Sequence, residues 1–171
     1  DILAHAAVFM GIYYFIKGHF KDAAAYFDKA EQVYESNEKG ILINPTAPMF
    51  LGYCASYLGE FHRAIGSLDF NWRLAMERSD HALCSTIRAV LGTILVLLKK
   101  NKEASVHLRH AVNEAAGCDN AFGLYFALGG MALQHFTAGR PDEAVRYLKL
   151  SRKEGLRIGL ERQFASPWFL E

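Results

Sequence analysis

The sequence predicts an all-α chain, a solenoid of about four helix–turn–helix repeats with a partial fifth. Three observations predict it. Four prolines occur in 171 residues, none between Pro48 and Pro141, so long stretches are free to be helical. About half of the residues (51%) are apolar and 22% charged, a balance that supports a packed core. Above all, Ala23, Ala64, Ala104 and Ala144 stand 41, 40 and 40 residues apart, and a fixed period in that range marks a repeat architecture.

The phase extends well beyond the alanines. Five residues before them stand Gly18, Gly59, Lys99 and Gly139. Twelve before stand Gly11, Gly52, Gly92 and Ala132, all small; thirteen before stand Met10, Leu51, Leu91 and Met131, all large and apolar. Four after stand Phe27, Leu68, Leu108 and Leu148; seven after stand Ala30, Asn71, Ala111 and Ser151. Each column has a physical role. The glycine before the alanine ends a first helix, A, with a left-handed residue. The small residue within A allows close approach of a second helix, B, and the large residue of B fills the remaining gap.

Taken in order, the elements follow from these columns. The first A helix spans 2–17 and stops at Gly18. Its B helix spans 20–36, with Asp22 near the positive end of the helix dipole. Gly40, Asn44 and Pro45 make 37–46 a loop. The second pair spans 47–58 and 61–78, joined at Gly59. Ser79 or Asp80 caps the third A helix, 80–99. Lys99 takes the place of the turn glycine there, and Asn101 is expected to supply the left-handed residue before 102–117. The fourth A helix spans 120–138. Gly139 stops it, and Pro141, Asp142 and Glu143 start 141–158, where proline suits a first turn. Trp168 falls in register with the opening of a fifth A helix in 161–171. The units are therefore about 1–40, 41–79, 80–118 and 119–159, with a partial unit at 160–171, in a single domain. The apolar stretches at both ends predict an excerpt from a longer protein.

The pattern resembles the tetratricopeptide (TPR) repeat: an apolar–Gly pair, an aromatic late in helix A, Gly-x-aromatic at the turn, then Ala, aromatic, Ala. The first unit matches best, through Met10-Gly11, Tyr14, Gly18-x-Phe20, Ala23, Phe27 and Ala30. The fourth departs at Pro141 and the third at Lys99. The period of about 40 exceeds the 34 residues of the standard repeat. Long repeats of this kind are similar to the helical arms of bacterial regulatory ATPases, transcription activators and other signalling proteins. The resemblance implies a right-handed superhelix and a cytoplasmic, non-catalytic role in protein–protein or interdomain contact. Its alternative is an effector-sensing arm for a small molecule.

Chemistry is hard to place in this sequence. Neither GxGxxG nor GxxxxGK[ST] occurs, so no nucleotide cofactor is expected. The net charge of +1, from 19 basic and 18 acidic residues, gives no electrostatic reason to expect nucleic acid or an anionic membrane. The run 89–98 is too short to span a bilayer. The start has no basic n-region and does not read as a signal peptide. Cys54, Cys84 and Cys118 read as free buried thiols in a reducing compartment. His107 and His110 are three apart, a spacing that can share a metal, but no further ligand is near, and they read as a solvated face. His135 reads as a packing residue; His5, His19, His62 and His81 are scattered. No catalytic, cofactor or metal residue is expected.

Binding is expected on the A helices. By TPR register their concave positions are His5, Val8, Ile12 and Phe15; then Thr46, Met49, Tyr53 and Ser56; then Thr86, Ala89, Thr93 and Val96; then Phe126, Gly129, Leu133 and Phe136. Val8 and Ile12 stand where the carboxylate clamp of chaperone-binding TPR domains needs Lys and Asn. The apolar stripe suits a protein or peptide partner or a neighbouring domain of the same chain, or else forms core between repeats. The bare end helices also suit a homodimer.

Overall fold

The computed structural model describes residues 2–36 and 46–159. Those residues hold eight α-helices and no strand: α1 (Ile2–Ile16), α2 (Phe20–Ser36), α3 (Thr46–Tyr57), α4 (Phe61–Glu77), α5 (His81–Leu97), α6 (Asn101–Gly117), α7 (Ala121–Thr137) and α8 (Pro141–Arg157). The helix ends lie within two residues of the expected ones. The loop expected at 37–46, except Thr46, and the segment 161–171 lie outside the described residues. Contacts divide the chain into two compact units, Asp1–Asn71 and Trp72–Glu171, with the division inside α4.

The same packing rule operates within each unit. In the first, α2 lies against both α1 and α3, and α1 touches α3. In the second, α6 lies against both α5 and α7, α5 touches α7, and α8 packs on α7. The knob residues make this possible. A Cβ on Gly11 would come within 2.6 Å of the Phe27 ring, and that ring stacks on Phe50 at 5.6 Å between centroids, with planes 8° apart. A Cβ on Gly52 would come within 2.9 Å of Leu68. Leu108 sits between two glycines: a Cβ on Gly92 would lie 2.7 Å from it, and one on Gly130 2.6 Å. Phe27, Leu68 and Leu108 are fully buried, as are Ala23, Ala64 and Ala104. Asn71 and Ser151, the polar members of their column, are buried but bonded: Asn71 donates to the Ser67 carbonyl (3.0 Å) and Ser151 to the Tyr125 carbonyl (2.8 Å).

The turns correct one expectation and add a second series. Lys99 itself adopts the left-handed conformation (φ 60°), matching Gly18, Gly59 and Gly139, while Asn101 is simply the first residue of α6. Ser79 (φ 56°), Asp119 (φ 51°) and Gly159 (φ 71°) do the same after the B helices. The left-handed residues thus recur every 20 residues from Ser79 to Gly159. The hydrogen bonds match as well. In the turn after α5, the Lys99 N–H donates to the Val96 carbonyl and the Lys100 N–H to that of Leu95. After α6, Asp119 donates to Ala116 and Asn120 to Ala115. This is the paired closure of a Schellman motif, which satisfies the last carbonyls of a helix. Asp80 caps α5, its carboxylate accepting from the Leu83 N–H at 2.9 Å, and Asn120 caps α7 by accepting from the Gly123 N–H at 3.1 Å.

Leu108→Ala is expected to cost about 2–5 kcal/mol, since it deletes a knob and leaves a cavity. Gly92→Val is expected to cost about 1–3 kcal/mol by overpacking the same place. Lys99→Gly is expected to stabilise by ~1 kcal/mol or less: it relieves a left-handed penalty of roughly 1–2 kcal/mol, offset by the entropy glycine loses on folding, about 0.5–1 kcal/mol. Urea denaturation measures all three. Unchanged midpoints for Leu108→Ala and Gly92→Val would remove the knob from its role.

Candidate functional site

The A-helix register positions do not form an open stripe. In the first unit Val8, Phe15, Met49, Tyr53 and Ser56 are buried and Ile12 and His5 half-buried. Phe15 shows why. Its ring meets Phe50 at 4.9 Å, Phe20 at 5.5 Å, Tyr57 at 6.1 Å and Tyr53 at 6.5 Å, so it is the centre of an aromatic cluster shared by α1, α2 and α3. Edge-on and tilted contacts at these distances are favourable beyond simple burial. Ser56 turns inward, donating to the Gly52 carbonyl at 2.8 Å.

In the second unit Thr86, Ala89, Thr93 and Val96 of α5 are buried. Ala89 packs with Ala111 and Ala127 in one cluster, against which Val112 and Phe126 lean. Thr93 donates to the Ala89 carbonyl at 2.8 Å, and its hydroxyl would be 2.5 Å from a Cβ on Gly130. Small residues thus bring α5 and α7 too close for a ligand to lie between them. Of the stripe expected as either a binding surface or core between repeats, Val8, Phe15, Met49, Tyr53, Ser56, Thr93 and Val96 are buried. Of the four positions in α7, Phe126, Gly129 and Leu133 are half-buried and Phe136 is 67% exposed. Accessible register positions therefore concentrate on α7.

Among the described residues, two apolar surfaces stand out on the A helices. One is the α7 face of Phe126, Leu133 and Phe136. The other lies on α1, one of the bare end helices expected from the sequence: Ile2, Phe9, Tyr13 and Ile16 are all exposed. The signal was present, because Ile2–Ile16 contains no Asp, Glu, Lys or Arg, whereas a helix with one solvent face ordinarily carries them.

Several polar groups tie the helices together. Asn120 gathers the starts of α5 and α7, its amide donating to the Ala82 carbonyl (2.8 Å), Ser85 Oγ (3.0 Å) and Thr86 Oγ1 (3.1 Å). Arg88 lies 3.5 Å from Glu114 and 4.9 Å above the Trp72 ring, a half-buried pair with a cation–π contact. His135 packs on Tyr147 at 5.0 Å. His107 is half-buried and His110 exposed, and among the described residues no group of three His, Cys, Asp or Glu side chains could hold a metal. No helix among the described residues is long and apolar enough to cross a membrane. Cys54 and Cys84 are buried, and burial pushes their thiols up to about 12 and about 11; Cys118, expected to be buried, is exposed.

No protein-family model matches the sequence, and no curated protein matches it.

Cys118 is expected to react quickly with a disulfide reagent at pH 8, with Cys54 and Cys84 reacting only on unfolding; one-thiol stoichiometry in native protein and three in denaturant check this. The raised thiols also set an alkaline limit. From pH 9, near the ordinary thiol value of 9.0, the unfolded chain releases protons that the folded chain keeps. Stability is full below that pH and falls towards pH 11–12. Cys54→Ala should flatten part of that decline in pH-dependent denaturation.

Proposed function

We propose that the chain is a non-catalytic TPR-like helical-repeat scaffold. In this reading it mediates protein–protein or interdomain contact within a larger cytoplasmic signalling or transcription-regulating protein, its helix pairs stacking as a right-handed superhelix. One observation carries the reading: the knobs Phe27 and Leu108 are spent between helices, Leu108 between Gly92 and Gly130, and the side chains left over on α7 are apolar. Leu133 follows Phe126 by seven residues and Phe136 follows Leu133 by three, on one side of a helix packed against α6 and α8. A rigid helix face of large apolar side chains suits a peptide or a neighbouring domain, with few residues dominating affinity.

The test is a peptide-array screen with the full chain, followed by titration of the best peptide. Phe136→Glu and Leu133→Ser are expected to weaken binding at least tenfold, a loss of about 1.4 kcal/mol or more. Phe136→Glu should leave the melting temperature nearly unchanged, since Phe136 is exposed. Saturable stabilisation by a sugar or nucleotide, with no peptide bound at any concentration, would sink the proposal in favour of an effector-sensing arm.

A further inference from the structure

The exposed side of α1 carries Ile2, Ala6, Phe9, Tyr13 and Ile16. Spaced three and four residues apart, they share one face. Phe9 is 68% exposed, Tyr13 53% and Ile16 55%. The 40-residue phase shows what such a face does elsewhere in the molecule. Ala6, Phe9 and Tyr13 correspond to Ala47, Phe50 and Cys54 in α3, to Ile87, Val90 and Ile94 in α5, and to Ala127, Gly130 and Gln134 in α7. All nine of those later residues are buried.

In α3 and α7 the covering element is visible. Over α3 it is α2: Phe27 stacks on Phe50 at 5.6 Å, and Phe20 stacks on Tyr57, the counterpart of Ile16, at 4.1 Å. Over α7 it is α6: Leu108 abuts Gly130, and the Gln134 amide donates to the Asn101 carbonyl (2.8 Å) and to Ser105 Oγ (2.7 Å), while Val112 leans on the cluster that holds Ala127. The covering residues occupy equivalent places. Phe20 and Phe27 in α2 are in phase with Asn101 and Leu108 in α6, and Ala24, buried, is in phase with Ser105. One face of α2 and one face of α6, each with a small residue at the second place and a large apolar residue three further on, seal the next A helix of their unit.

We propose that the exposed face of α1 is the seat of one more helix of this B type, brought by a partner polypeptide. The seat continues by one step the series of interfaces already made by α2 on α3 and by α6 on α7. The partner is an amphipathic helix with a large apolar residue, a small residue four positions on and a second large apolar residue three positions further, uncharged at all three. Ile2–Ile16 holds no Asp, Glu, Lys or Arg, and the cation beside the face, Lys17, already lies over the Tyr13 ring at 5.9 Å. Because Phe9 replicates the Phe50 position, the sequence of α2 is the nearest template for that helix. The inference deepens the scaffold reading and rests on it, but it uses a different surface from the α7 face.

The probe is a side-chain-stapled peptide of residues 19–36, labelled for anisotropy and stapled away from positions 20, 24 and 27, since a free helix of that length is marginal in water. Titrated with the full chain, it is expected to bind saturably at one to one. Phe9→Glu with Tyr13→Glu in the chain should weaken binding at least tenfold, as should Phe27→Glu in the peptide. Phe9→Ser alone, a milder change, should weaken it in the same direction, with circular dichroism unchanged. No saturation, or binding that survives both chain variants, overturns the proposal. So does a dimer in sedimentation velocity that Phe9→Glu abolishes and the peptide does not displace, because the occupant is then a second copy. Peptide binding lost in Phe136→Glu but not in the α1 variants leaves the scaffold reading standing and removes this seat.

Discussion

A single large side chain wedged between two helices that lack one organises this molecule. Leu108 occupies the space that side chains at Gly92 and Gly130 would fill, and Phe27 occupies that of Gly11 before meeting Phe50. Phe27 and Leu108 each join their own A helix to the next one in their unit. Dispersion and burial are short-ranged, so this arrangement works only if the helices approach closely, which explains the small residues at the contact points. The rest of the packing is subordinate: the alanines beside each knob are fully buried, and the polar members of those columns bond to neighbouring carbonyls.

That closeness also decides where a partner can bind. A groove between successive A helices needs space, and in the second unit the space is taken up by Ala89, Ala127, Thr93 and Gly130. The aromatic cluster around Phe15 fills the equivalent place in the first unit. Residues that face a ligand in a looser stack become core in a tight one. What is left for recognition is the helix surface with nothing packed over it, such as that around Phe136 and Phe9.

Helices and their phase were legible in the sequence because both depend on local rules. Glycine after a helix, proline in a first turn and small residues opposite a large one are chemical requirements visible in one dimension. Burial was less legible. The register placed Thr93 and Val96 on a face but could not say that α7 covers it, because the deciding feature is Gly130, forty residues from its in-phase partner Val90. The turns after the B helices were missed for another reason. Ser79 and Asp119 are residue types that suggest caps, and only the backbone shows them left-handed. Lys99 misled in the same way, since lysine has no particular liking for that conformation. The exposed face of α1 was visible as an uninterrupted apolar helix, but its meaning emerged only when its in-phase counterparts proved to be buried.

The three-residue turns bear on how the chain acquires its structure. After both kinds of helix the turn closes with the same two hydrogen bonds, and within each unit a helix touches only those one or two steps along the chain. Among the described residues of each unit, no contact between helices reaches beyond the second helix along the chain, so the entropy of loop closure within a unit stays small. Ordering can begin at any helix pair and spread to its neighbours. Such a chain can build its interfaces progressively during synthesis, each finished helix pair offering a surface to the next.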